Sequence, residues 1–168
     1  MDSEQIYRIM TDYAYENEFL GVFARDNIPL SSMHYPCGLI INTMPHNHNG
    51  EHWVAIYKDE YNKGFYFDSF GRNPHFDEFY DCLNFCDDWS YNKQQFQSIF
   101  TDVCGQYAIF FLLHKMHGYN SEEITHLIQN NCYASNDLYM FNFVRLLTPS
   151  QTPNIFPFSF KQISKIVS

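Results

Sequence analysis

Basic side chains are scarce in this chain. Ten Lys and Arg face nineteen Asp and Glu across 168 residues, for a formal charge of −9, and no three basic residues adjoin. A protein that grips phosphate backbones needs the opposite balance, so nucleic acid is not an expected partner. No apolar run approaches the ~18 residues that mark a membrane span; the longest candidate, from Tyr107 to Leu113, is far shorter. The opening MDSEQIYRIM lacks the apolar core of a secretory signal. A protein that is not secreted and is made in a reducing compartment is therefore expected. Five cysteines at irregular spacing (Cys37, Cys82, Cys86, Cys104 and Cys132) argue against a disulfide framework and leave room for a reactive thiol.

What is present is a globular composition, 45% hydrophobic and only 17% charged. No repeat, low-complexity tract or linker divides it, so one monomeric domain over residues 1–168 is expected. Ser3 to Tyr13 reads as a helix with Ser3 as its N-cap. Phe19 to Pro36 reads as turn-rich and irregular, and GLIINT (38–43) as a buried strand. HWVAIYK (52–58) and FYFDSF (65–70) flank DEYNKG and read as a hairpin. Phe76 to Cys86 reads as helical, and Tyr91 to Phe100 as a strand running into a loop. From Cys104 to His117 an almost all-round apolar run predicts a central buried helix. Helices over 121–130 and 136–147 come next, with Asn136 and Asp137 at the start of the second and an irregular tail from Thr148. The class is α+β, a central mixed sheet flanked by helices.

The candidate chemistry begins at Cys104, which joins a polar loop to the hydrophobic helix in TDVCGQYAIFF. Free N–H groups and the partial positive charge of a helix start stabilise a thiolate. Gly105 would let a substrate backbone approach. His52 opens a strand. If the hairpin is centred on Glu60, His52 lies directly opposite Asp68. The carboxylate would then hold Nδ1–H of the imidazole and leave Nε2 as general base. Gln97 precedes Cys104 in QSIFTDVC, where a side-chain amide and the Cys104 N–H would form an oxyanion hole. Each of these residues alone has a plain structural reading. Their order, His, Asp, Gln, Cys, is what carries the signal.

GEHWVAIY, FYFDSFG and Gln97-x6-Cys104-Gly105 together resemble the adenovirus protease (adenain) and, beyond it, the SUMO-deconjugating cysteine proteases of the same papain-like clan. FLGVF near residue 19 and CGLIINT from Cys37 are similar to segments that precede the catalytic histidine of adenain. NDLYMFNFV (136–144) resembles a helix of the proteases of Maverick/Polinton elements and adintoviruses. The resemblance spans roughly Phe19 to Val144. It implies a thiol endopeptidase with catalytic His52, Asp68, Gln97 and Cys104, substrate-binding Trp53 and Gly105, and the nucleophile on a buried helix. It further implies cleavage after glycine-containing sites in viral or transposon structural precursors, in the host nucleus or cytoplasm and in the virion. No metal or small-molecule cofactor is implied. A peptide activator tethered through Cys86 is an implied partner, because adenain takes such a peptide by disulfide. Adenain has Glu where this chain has Asp68, the residue of the deconjugating enzymes.

Two rival readings accompany this one. A zinc site could draw on His46, His48 and His52 with His34 and Cys37 upstream, although no CxxC or HxxxH pair frames them. A ubiquitin-like-protein deconjugase would use the same residues. His114, His117 and His126 have no partner pattern and are expected at the core edge or surface.

Overall fold

The computed structural model describes residues 1–15, 17–128 and 132–148. The expected irregular tail beyond Thr148 and the end of the expected 121–130 helix lie outside them.

Helix α1 (Ser3–Tyr13) opens on a capping box. Asp2, not Ser3, is its N-cap: Asp2 Oδ1 accepts from Gln5 N at 2.8 Å and Gln5 Oε1 from Asp2 N at 3.1 Å, which satisfies two orphan donors of the first turn. Strand β1 (Phe19–Ala24) lies where the sequence predicted irregular chain. Its apolar residues pair in parallel with β2 (Cys37–Asn42), a long-range partner that local pattern cannot reveal. Gly21, at φ +137°, sits where that pairing shifts register, a conformation other residues rarely adopt.

Strands β3 (Trp53–Lys58) and β4 (Lys63–Phe67) form the expected hairpin, and β5 (Asp88–Tyr91) adds in parallel to β4. The strand expected near residue 91 thus comes earlier, and the chain after Tyr91 is loop. The result is a five-stranded mixed sheet in the order β1-β2-β3-β4-β5. Both faces are covered, so β2 is buried along its whole length and shows no polar alternation. Ile40, Ala55, Tyr57 and Phe67 face one core, while Leu39, Ile41, Val54, Ile56 and Tyr66 face the other.

Helix α2 (Asp77–Leu83) packs on the second face through Phe79, Cys82 and Leu83. The first face carries α1, α3 (Cys104–Met116), α4 (Ser121–His126) and α5 (Tyr133–Leu147). The cap of α4 is Asn120, paired with Glu123 in a capping box, one residue before the expected start. Helix α3 is buried on nearly every side, and Phe111 stacks on Phe67 with ring centroids 4.5 Å apart and planes 6° off parallel. Each such side chain contributes roughly 1.5–3 kcal/mol by leaving water, so this helix is fixed firmly in the domain. His114 belongs to this core, fully buried with Nδ1 2.7 Å from Phe110 O; the core-edge expectation is corrected for it.

Candidate active site

The hairpin turn decides how the first two site residues meet. Asp59 Oδ1 accepts from Tyr61 N and Lys63 N, and Asn62 takes φ +60°, as Asn tolerates. Lys58 therefore pairs with Gly64, and Ala55 with Phe67, so the turn is centred on Tyr61 instead of Glu60. Continued to the strand ends, this register sets Asp68 across from Val54 and Phe70 across from His52. Each partner moves by two positions, which keeps the face. His52 and Asp68 meet diagonally, with Nε2 and Oδ1 2.8 Å apart, and the Phe70 ring lies 5.0 Å from the imidazole.

The nitrogen is also corrected. Nε2 faces the carboxylate, so Nδ1 is the nitrogen left for Cys104, whose side chain acts on the imidazole. Burial works against a charged imidazole here, but the hydrogen bonds and charges of Asp68 and Cys104 outweigh it and raise the His52 pKa to about 9. Burial likewise opposes a thiolate at Cys104. The hydrogen bond and charge of His52, with the backbone N–H groups of Trp53 and Gly105, outweigh that and lower the thiol's pKa. Val103 supplies no side-chain cap to α3, so the helix start keeps its amides for the sulfur. The two shifts run in the directions that favour proton transfer from Cys104 to His52.

Asp68 is itself held. It is 1% exposed, its Oδ1 also accepts from Phe70 N at 2.8 Å, and Asn92 grips its backbone on both sides, at 2.9 Å to N and 2.6 Å to O. Gln97 is buried in the same region. Its Oε1 accepts from Ser69 Oγ at 2.6 Å and its Nε2 donates to Thr101 O at 2.7 Å. One amide hydrogen is thereby committed to the loop itself, which sequence reasoning did not foresee.

Trp53 is half-buried and donates Nε1–H to Met1 O at 3.1 Å. A Cβ at Gly105 would meet Trp53 Cδ1 at 3.3 Å and Ile6 Cδ1 at 3.4 Å, so its smallness lets both side chains pack against the start of α3. Beyond Trp53 runs a cleft of about 720 Å³ whose walls include Met1, Val22, Met44 and His46. Cys104 is not in that wall; Trp53, which lines the cleft and packs against Gly105, links the cleft to the start of α3.

The remaining histidines of HNHNGEH are not drawn together. His46 Nδ1 lies 2.7 Å from Asp26 and His48 Nδ1 2.7 Å from Asn47. Among the described residues no group of three His, Cys, Asp or Glu is placed to hold a metal ion. Cys86 is half-buried with Sγ against Gly64, and burial raises its pKa. Among the described residues no helix is long and apolar enough to cross a membrane.

Sequence reasoning missed Asn92, Phe70 and the pair Asn136–Asp137. Helix α5 begins at Tyr133, so Asn136 and Asp137 do not start it; both are buried within it and bond to the loop that carries Gln97. A small polar pair inside an otherwise apolar helical pattern was the available signal.

No protein-family model matches the chain, and no curated protein matches it. Solved structures do. The ASFV pS273R protease aligns with a TM-score of 0.56 at 17% identity, over 88% of this chain and 65% of that one. The chain has a papain-like protease fold. A selenomethionine structure of the same protease gives a TM-score of 0.46 at 22% identity over 68% of this chain and 46% of that one. The central domain of the uncharacterized Lpg1148 protein from Legionella pneumophila gives 0.50 at 16% identity, over 88% and 97%. The chain therefore spans about half to two thirds of the pS273R protease chains it matches.

Proposed function

We propose that this chain is a cysteine endopeptidase of the adenain type that cleaves structural precursor proteins after glycine-containing sites during virion or transposon particle maturation, within the host cell or the particle. The observation that carries the reading is one arrangement. Cys104 at a helix start is coupled to His52, which lies 2.8 Å from buried Asp68, with the thiol lowered and the imidazole raised.

The chemistry is set by these positions. His52 Nδ1 takes the thiol proton, and Asp68 stabilises the imidazolium through Nε2–H. Sγ attacks the substrate carbonyl, and the oxyanion is received by the Cys104 backbone N–H and the second hydrogen of Gln97 Nε2. The imidazolium gives its proton to the leaving amine. Water, deprotonated by His52, then hydrolyses the thioester and returns the thiol. The cleft beyond Trp53 receives the peptide. A protease-type neighbour, the ASFV pS273R protease, supports this reading at the level of the fold.

The test is cleavage of a panel of glycine-containing peptides, beside a ubiquitin-like C-terminal probe, by wild type and Cys104→Ala in reductant. Peptide cleavage that vanishes in the variant supports the endopeptidase. Reaction with the ubiquitin-like probe alone moves the assignment to a deconjugase. Cleavage that survives in Cys104→Ala removes the proposal.

A further inference from the structure

The chain between β5 and α3, which carries Gln97, has no regular structure, yet an oxyanion donor must be held still. Hydrophobic burial does not hold its tip, where Ile99 and Phe100 stand 69% and 91% exposed. What holds it is polar. Asp137, 5% exposed on α5, accepts from Thr101 Oγ1 at 2.8 Å, from Tyr107 OH at 2.9 Å and from Ser98 N at 3.2 Å. Its neighbour Asn136 donates Nδ2–H to Phe96 O at 3.1 Å, and Phe96 O also lies 3.0 Å from Tyr107 OH. Thr101, gripped by its hydroxyl, turns its carbonyl to Gln97 Nε2.

We propose that Asp137 is a positioning residue for the reaction: it clamps the 96–101 loop so that the Gln97 amide points at the oxyanion. The role rests on the cysteine-peptidase reading. A buried carboxylate with three donors fixes geometry more tightly than neutral bonds would, and it reaches both sides of Gln97, at Ser98 and at Thr101. The nucleophile is not touched. Tyr107, three residues along α3 from Cys104, ties the clamp to the helix that carries the thiol. Displacing an oxyanion donor by about an ångström costs on the order of 10²-fold in rate.

The experiment is Asp137→Ala in the wild-type and Gln97→Ala backgrounds. Four quantities are read: kcat and KM on a cleaved peptide, the pH profile of Cys104 alkylation, and amide exchange at residues 98–101. The expected result is a kcat loss of roughly 10²-fold with KM held, an unmoved alkylation profile and faster exchange. The kcat loss should be absent when Gln97 is already Ala. Losses that multiply in the double variant overturn the proposal, as does a shifted alkylation profile or an unchanged kcat. If Asp137→Ala does not fold, Thr101→Val removes one arm of the clamp and must lower kcat in the same direction. Wild-type protein without Cys104-dependent cleavage overturns the peptidase reading and this role with it. Normal cleavage with unchanged exchange in the variant overturns the clamp alone.

Discussion

Asp68→Asn isolates the charge behind the base. The amide keeps the shape and an oxygen that can still accept from Phe70 N and His52 Nε2–H, as Oδ1 now does. The negative charge goes, and the buried Oδ2, which has no hydrogen-bond partner among the described residues, becomes an NH2 group. At about 4 Å and an effective dielectric of about 20 that charge is worth roughly 4 kcal/mol to the imidazolium, or about three pH units. The His52 pKa of about 9 should therefore fall to near 6 by the same arithmetic. Peptidase activity of wild type should rise with pH as Cys104 ionises and decline as His52 loses its proton near pH 9. In the variant the alkaline limb should move down by about three units, and alkylation of Cys104 at neutral pH should slow accordingly. The assay is kcat/KM against pH, run with the alkylation rate over the same range. An alkaline limb that stays near 9 in Asp68→Asn would refute the assignment, because His52 would then owe its raised pKa to Cys104 alone.

Two further outcomes concern the core. His114 is fully buried, and burial lowers its pKa from 6.5 to about 4. Between those values the unfolded chain binds a proton that the folded chain refuses, so stability falls with falling pH by roughly 3 kcal/mol. His52, raised above 6.5, is protonated in both states across that window and adds little slope. Urea titrations at several pH values should show a flatter dependence in His114→Phe; equal slopes in the two proteins would remove His114 as the cause. Gly38→Ala would place a Cβ 2.4 Å from Leu112 Cδ1 and 2.8 Å from Met116 Cε. Overpacking of this kind costs about 1–3 kcal/mol, which thermal unfolding should register while kcat of the folded protein is unchanged. An undiminished melting temperature would show that α3 can yield there.

Much of the site was legible because it sits at element ends that local patterns mark. The helix start at Cys104 and the strand start near His52 are both breaks between polar and apolar chain, and the structure brings Cys104, His52 and Asp68 together. The wrong nitrogen is a matter of ring orientation, which no sequence pattern reports; the wrong register had a different source. The register depended on the turn, where Asn62 in the left-handed region belongs to a loop two residues longer than one centred on Glu60, a length that the sequence pattern could not assign. Strand β1 escaped notice because its partner is parallel and distant. Asn136 and Asp137 were visible as polar residues, but their work is done across the fold, on a loop forty residues away in sequence.

The placement of the cysteines has a consequence for the life of the chain. Before the domain closes, all its thiols resemble one another. Closure pushes Cys37 up to about 11 and Cys82 up to about 12 by burial, raises Cys86 as well, and lowers Cys104. Folding thus quiets Cys37, Cys82 and Cys86 and makes Cys104 the more acidic thiol in one step. A nascent or damaged copy has no thiol set apart from the rest, so any chemistry particular to Cys104 waits until the strands and the central helix have come together.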